Sequence, residues 1–319
     1  MGTPVIEIQG LTKDYPVGHW RPGKRRSLDN LNLQVEEGEV FGFLGPNGAG
    51  KTTTLKLLMG LIFPTAGSAR VLGHSIDDIR MHRDIGYLPE QPYFYDYLTA
   101  RELLDYYARF SGYETKERRE RVARFLDRVG LAAAADTQLR KFSKGMLQRA
   151  GIAQAIVHDP KVVFLDEPMS GLDPVGRREV RDIIQDLKQQ GRTVFFSTHI
   201  LSDAEMLCDR VAVLVGGKLQ GVGAPSDLVS VEVQGMEILF EARDGIALPA
   251  SITSRSLPIG QRYHMQVQES ELYSVLDLLR CANARILSVV PVRPTLEDYF
   301  FRLVGREQTA SHAVEVNVR

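Results

Sequence analysis

Two short stretches of this chain carry residue types suited to handling phosphate and water. The first, Gly45-Pro46-Asn47-Gly48-Ala49-Gly50-Lys51-Thr52, matches the phosphate-loop pattern at every fixed position. Backbone N–H groups reach phosphate oxygens only where side chains do not block them, so the pattern needs glycine. A helix starting at Thr52 aims its positive end at the same anion. Lys51 is then expected to reach the β- and γ-phosphates of the bound anion, Thr52 to ligate Mg²⁺, and Thr53 to add a phosphate contact. The second stretch is Val162-Val163-Phe164-Leu165-Asp166-Glu167-Pro168. Its apolar run lifts two carboxylates to the carboxyl end of a buried strand, where α/β sheets bind ligands. Asp166 suits the Mg²⁺ shell, and Glu167 suits the base that orients or activates the attacking water.

Strands and helices must position these groups. Alternation predicts strands at Val5–Gln9 and Leu31–Val35, and continuous apolar runs predict buried strands at Val40–Leu44, Val162–Leu165, Thr193–Phe196 and Val211–Val215. A helix over Thr52–Met59 ends at Gly60, and Arg177–Gln189 reads as a crossover helix. Between about 92 and 150 the chain turns charged, amphipathic and helical, with helices at Arg101–Phe110 and Thr115–Val129, so a helical subdomain is inserted there. The core pattern stops near Val231–Gly235. A smaller α+β unit follows, with strands Glu237–Ala242, His264–Val267 and Arg285–Val290, helix Ser270–Cys281 and a last helix Thr295–Val304. Residues 306–319 form a polar tail.

A third stretch, Phe142-Ser143-Lys144-Gly145-Met146, precedes the carboxylate pair by a helix. With it, the order of motifs over about residues 4–230 resembles the ABC (ATP-binding cassette) ATPase family. The resemblance implies a P-loop NTPase core. In the family this pentapeptide is usually Leu-Ser-Gly-Gly-Gln. Ser143 and Gly145 keep the positions that meet a γ-phosphate, whereas Met146 removes a polar side chain and works against the closed state. Ser170-Gly171-Leu172-Asp173-Pro174 is similar to the loop that reaches the partner's site, which brings Asp173 to the nucleotide. His199, after Ser197-Thr198, resembles the histidine that holds the γ-phosphate, and Tyr15 resembles the aromatic that stacks on adenine, with Trp20 as its competitor. After Ile85-Gly86-Tyr87-Leu88-Pro89 the family has a glutamine that senses Mg²⁺ and water. Here either Glu90 serves as the oxygen ligand, the favoured alignment, or the loop shifts and Gln91 does.

Five of the six residues Pro92-Tyr93-Phe94-Tyr95-Asp96-Tyr97 are aromatic or proline. A buried cluster is the default for aromatics, but in the family this loop lines the groove that receives a short permease helix, and aromatic enrichment suits such a surface. The resemblance therefore implies Mg²⁺-dependent ATP hydrolysis by two head-to-tail cassettes, a homodimer or a pair with a sister chain. Each site is closed by the partner's Ser143 and Gly145. It further implies a multispanning permease docked around Glu90–Tyr97 and a place on the cytoplasmic face of a membrane. The carboxyl-terminal unit, closing with Pro294–Phe300, is similar to that of ATPases serving type-2 export permeases.

Bulk composition sets limits on this reading. The 319 residues are 44% hydrophobic and 25% charged, ordinary for a globular chain. A net charge of -1 argues against a surface built for nucleic acid, and a basic cluster at Arg21, Lys24, Arg25 and Arg26 reads as a solvated loop. The competing class, a soluble ABC ATPase acting on nucleic acid or ribosomes, usually carries two cassettes, a long coiled coil or a zinc insertion. The two cysteines, Cys208 and Cys281, have no metal-ligand spacing and fit a reducing compartment. No signal peptide is expected, and the apolar runs are too short to span a bilayer, so a membrane role requires a partner.

Overall fold

A computed structural model of the chain describes residues 4–17, 23–229, 235–241, 256–259, 262–292, 295–303 and 305. Two compact units divide it, Met1–Pro225 with Arg302–Arg319, and Ser226–Phe301.

The first unit holds two sheets. Strands β1 (Pro4–Val17), β2 (Gly23–Glu36), β4 (Ala66–Val71) and β5 (His74–Ser75) form an antiparallel sheet in the order β2-β1-β4-β5. Strands β3 (Val40–Leu44), β6 (Ile85–Leu88), β7 (Val162–Asp166), β8 (Thr193–Thr198), β9 (Arg210–Val215) and β10 (Lys218–Gly223) form the second, in the order β10-β9-β3-β8-β7-β6. Its central strands are parallel, and β10 returns from β9 as a hairpin at Gly216-Gly217. Every residue of β3, β7 and β8 is buried, which is why their sequences are continuous rather than alternating. Phe41, Phe43, Phe164 and Phe195 cluster with centroid separations of 5.3–5.8 Å, and Ile6, Leu11 and Leu31 of the first sheet pack in the same core. Each such burial contributes about 1.5–3 kcal/mol.

A second core lies among the helices α2 (Ala100–Phe110), α3 (Thr115–Arg128), α4 (Lys144–Ile156) and α5 (Pro174–Gln189). Leu103, Leu104, Val122 and Phe125 meet the small residues Ala150, Ala153 and Ala155 of α4, and Val163, Leu165 and Phe196 join them from the parallel sheet. Thr99 and Glu102 close a capping box on α2.

The elements differ from the sequence reading in places. Lys24, Arg25 and Arg26 are not in a loop but in β2, an edge strand where charged side chains remain solvated while the backbone pairs. Helix α5 starts at Pro174, not Arg177, because Asp173 caps it and proline suits the first helical position. The strands β4, β5 and β6 and the helix α6 (Leu201–Leu207) carry periodicity too short to stand out in the sequence.

In the second unit, strands β11 (Gly235–Glu241), β12 (Ser256–Ile259), β13 (Arg262–Val267) and β14 (Arg285–Val292) form an antiparallel sheet in the order β12-β13-β11-β14. Helix Leu272–Cys281 packs Val275 and Leu279 onto Ile238, Phe240, Met265 and Val267. The expected start at Ser270 is a 3-10 turn, Glu269–Glu271. Residues 296–303 are helical. Trp20, Arg21, Val231, Ala242, Pro294, Val304 and the tail 306–319 lie outside the described residues. Among the described residues no helix is long and apolar enough to cross a membrane.

Candidate functional site

Strand register builds the site. In the parallel sheet Leu44 of β3 stands beside Thr198 of β8, and Ser197 of β8 stands beside Asp166 of β7. The residues that follow each strand, Gly45, Glu167 and His199, therefore leave one edge of the sheet together. From Gly45 the chain turns tightly. A Cβ there would lie 2.4 Å from the Leu214 carbonyl oxygen, and one on Gly50, at φ 106°, would lie 2.4 Å from that of Ser27. Only glycine fits either place. Helix α1 (Lys51–Leu58) then begins, with Thr54 Oγ1 donating back to the Gly50 carbonyl at 3.0 Å.

The buried Lys51 ammonium donates to the carbonyls of Gly45 at 2.7 Å and Pro46 at 3.3 Å, and stands 3.2 Å from Glu167 Oε1. The other Glu167 oxygen is 2.8 Å from Nδ1 of His199. Glu167 adopts φ 49°, a left-handed conformation that costs a side-chain-bearing residue about 1–2 kcal/mol. Its backbone N–H donates to Ser197 Oγ at 3.0 Å, and that same hydroxyl donates to Asp166 Oδ1 at 2.6 Å. Thr52 Oγ1 donates to the same Asp166 oxygen at 3.3 Å. Burial raises the Asp166 carboxyl above its ordinary range, while the hydrogen bonds from Ser197 and Thr52 pull it back. Burial and the Asp166 charge together push the Tyr87 hydroxyl up to about 12.

A hydroxyl and a carboxylate converging on one point supply the hard oxygen donors Mg²⁺ prefers. Among the described residues no cluster of three or more His, Cys, Asp or Glu side chains could hold a metal by itself. The Thr52 hydroxyl and the Asp166 carboxylate fit a cation that takes few protein oxygens and completes its shell from phosphate and water.

A cleft of about 810 Å³ opens over these groups. It is lined by Tyr15, Asn47, Gly48, Gly50, Lys51, Thr52, Thr53, Glu90, Glu167 and His199, all of them expected. Gly45, Pro46 and Ala49 shape the loop, with Ala49 N–H donating to the Pro46 carbonyl at 3.1 Å, and Asp166 lies beneath it. Glu90 lines the cleft; Gln91 does not. Ser143, Gly145 and Asp173 stand outside it in the same chain. Ser143 caps α4 by accepting from Met146 N–H at 3.2 Å, and Asp173 caps α5 by accepting from Gly176 N–H at 2.8 Å. Arg25 and Ser27 also line the cleft, and Ser197 lies under it, without having been singled out for a role in the sequence, while Ser170, from the loop expected to reach the partner's site, lines the cleft of its own chain. The hydroxyl of Ser197 gave no signal there, because only the β7–β8 register shows what it touches.

A second cavity, a groove of about 1000 Å³, begins one residue away at Pro89 and is walled by Pro92, Tyr93, Phe94, Tyr107 and Phe110. The aromatic run does not form a buried cluster: Tyr93 is 94% exposed, and Tyr95 and Tyr97 stand exposed beside one another. At its floor His158 Nε2 donates to the Ile85 carbonyl at 2.9 Å, and burial holds the ring's pKa below its ordinary value.

A phosphate loop, a carboxylate pair and a histidine gathered at the ends of adjacent parallel strands define a P-loop nucleoside triphosphatase. The ABC transporter family profile matches residues 28–170. An uncharacterized ABC transporter ATP-binding protein of Synechocystis is 45% identical over 300 residues, covering 93% of this chain and 84% of its own length. The fluoroquinolones export ATP-binding protein of Mycobacterium tuberculosis is 40% identical, covering 97% of this chain and 96% of its own length. Among solved structures, the dimeric post-hydrolysis state of the ATP-binding cassette MJ0796 bound to ADP and Pi superposes with a TM-score of 0.63 at 27% identity, over 69% of this chain and 98% of that one. The chain belongs to the ABC transporter ATP-binding protein family.

Proposed function

We propose that this chain hydrolyses ATP, with Mg²⁺, to drive a separate membrane permease that exports its substrate. The cleft carries the catalytic reading, because Lys51, Glu167 and His199 are joined there by direct contacts of 3.2 and 2.8 Å. Lys51 and the loop amides hold the β- and γ-phosphates, with Asn47 and Thr53 alongside, and Tyr15 stacks on adenine. Thr52 and Asp166 hold Mg²⁺, which supplies charge neutralisation at the phosphates. Glu90, which lines the cleft where Gln91 does not, serves as the further oxygen ligand and water sensor. Glu167 orients and deprotonates the attacking water, and His199 keeps that carboxylate in place and contacts the γ-phosphate.

Ser143, Gly145 and Asp173 act on the site of a partner cassette, identical or a sister chain. Their absence from the cleft of their own chain supports this arrangement, as does the dimer recorded for MJ0796. The exposed aromatics of Pro92–Tyr97 and the groove beside them receive the permease, which would hold the chain at the cytoplasmic face. The export reading is supported by the likeness to the fluoroquinolones export protein, which extends over 97% of this chain and so past the cassette. We place the cassette at 4–230 and the accessory domain at 236–305.

Glu167→Gln tests the chemistry. ATP binding should persist while turnover falls at least about 100-fold, because the carboxylate is lost and the shape is kept. Parental turnover in that variant would remove Glu167 from its role. Copurification of a multispanning protein from solubilised membranes tests the permease reading, and its absence would favour the soluble class.

A further inference from the structure

The cleft has a portion that the phosphate loop does not explain. Arg25 and Ser27 of β2 line it from one face of the strand, two residues apart, as the period of a strand requires. Arg26 between them turns the other way, where Asp14 and Asp29 take its guanidinium at 2.9 and 2.8 Å. Register sharpens the placement: Arg25 stands directly opposite Tyr15 on β1, as Arg26 stands opposite Asp14. Tyr15 and Arg25 are thus a cross-strand pair facing the cleft. Ser27 marks the other end, with its Oγ 2.9 Å from Oγ1 of Thr53 in the first turn of α1.

Same-face positions on a strand are about 6.6–6.8 Å apart. Reading along β2, Tyr15 and Arg25 come first, and Ser27 meets the phosphate-loop helix one such step later. A nucleotide whose base lies on Tyr15 and whose β- and γ-phosphates lie at Lys51 must place its ribose and α-phosphate in that interval. Arg25 is exposed to the cleft, and no carboxylate stands within ion-pair distance of it among the described residues. Lys51, the other cation lining the cleft among the described residues, is already paired with Glu167.

We propose that Arg25 binds the α-phosphate of the nucleotide and thereby fixes the base over Tyr15. The inference rests on the reading of this cleft as the ATP site. A guanidinium offers paired donors to phosphate oxygens in a geometry that lysine reproduces only as a point charge. The α-phosphate is common to ATP and ADP and is untouched by hydrolysis, so Arg25 should contribute equally to both nucleotides and leave the chemical step alone.

The test is calorimetric titration of the full-length chain with ADP and, separately, with adenosine, for the parent, Arg25→Gln, Arg25→Lys, Tyr15→Ala and the Arg25→Gln/Tyr15→Ala double variant. Arg25→Gln should weaken ADP about tenfold, a typical value for one charge-assisted contact. Arg25→Lys should recover part of it, and kcat at saturating ATP should stay within about twofold of the parent. The loss on ADP should persist in the Tyr15→Ala background, and adenosine, which lacks phosphate, should bind the parent and Arg25→Gln alike. Unchanged ADP affinity overturns the proposal. So does a loss that vanishes in the Tyr15→Ala background, which would make Arg25 a support for the ring, or an equal loss on adenosine, which would place the contact on the sugar. A parent chain that binds no ADP overturns the cleft reading along with the inference, whereas a parent that binds and an Arg25→Gln variant that matches it overturns the inference alone.

Discussion

Ser197→Ala removes one hydroxyl that ties the two carboxylate-bearing positions of the site together. The side chain is fully buried, so no solvent replaces what it provides. Its bond to Asp166 Oδ1, at 2.6 Å, is charge-assisted, and such bonds contribute about 1.5–3 kcal/mol. The Glu167 N–H loses Ser197 Oγ but keeps the Ser197 carbonyl at 3.2 Å, so its full desolvation cost is not added. Thr52 retains its longer bond to Asp166 at 3.3 Å. The net loss should be about 2 kcal/mol, or about 4–8 °C in the melting temperature of a unit the size of Met1–Pro225. The same hydroxyl anchors the backbone of Glu167 in its left-handed conformation. Freed, that carboxylate should leave its productive position often enough to lower kcat about tenfold, with KM for ATP changing less than about threefold. Differential scanning calorimetry and steady-state ATPase assays read both numbers, with Ser197→Cys as a near-isosteric control. A melting temperature within about 1 °C of the parent, with kcat unchanged, would refute the claim that this hydroxyl organises the site.

Three further outcomes are expected. Mixing Ser143→Arg and Lys51→Ala chains should restore part of the ATPase activity that each lacks alone, because both lesions fall in one composite site of the mixed dimer; no recovery from dimers shown to be mixed would count against head-to-tail assembly. Glu90→Gln should stay active with a shifted Mg²⁺ optimum while Gln91→Ala leaves the Mg²⁺ curve unchanged, and the reverse pattern in the same titration would show the loop shifted by one residue. His158 has a pKa lowered by burial, so on acidification the unfolded chain takes up a proton near its ordinary 6.5 before the folded chain does. Its contribution is intact above that pH and declines below it, and His158→Gln should flatten the loss of stability between about pH 7 and 5.5 in urea titrations.

What could be read from the sequence, and what could not, follows from the range over which each signal acts. The phosphate loop is visible because its residue types fall in one contiguous run: glycine where the backbone turns left-handed at Gly48 and Gly50, lysine and threonine at the start of a helix. The runs Val40–Leu44, Val162–Leu165 and Thr193–Phe196 are visible because burial on both faces leaves each of them mostly apolar. Short strands such as His74–Ser75 are too brief to show a period. The basic run at Lys24–Arg26 misleads for a similar reason. Residues that alternate between two faces of an edge strand look alike when all of them are charged, and only the pairing with Asp14 and Tyr15 separates Arg26 from Arg25. Ser197 is a long-range case, since its partners lie 30 and 31 residues away in sequence and one strand away in space.

The join between cleft and groove is also a matter of adjacency. Pro89 walls the groove and Glu90 lines the cleft, so consecutive residues serve different cavities. Two residues earlier, Tyr87 lines the groove while its hydroxyl responds to the charge on Asp166. Strand β6, which leads into this segment, is held in register against β7, the strand that carries Asp166. Coupling between a permease helix in the groove and nucleotide in the cleft, as proposed here, therefore needs no extended pathway. It needs only that the segment from Tyr87 to Glu90 have two positions, each favoured by one ligand. Linkage then requires reciprocity: whatever factor the permease adds to ATP affinity, ATP adds to permease affinity. Couplings of this kind amount to about 1–3 kcal/mol, which is within reach of a displaced carboxylate near Mg²⁺ and well below the stability of the sheet that holds the segment.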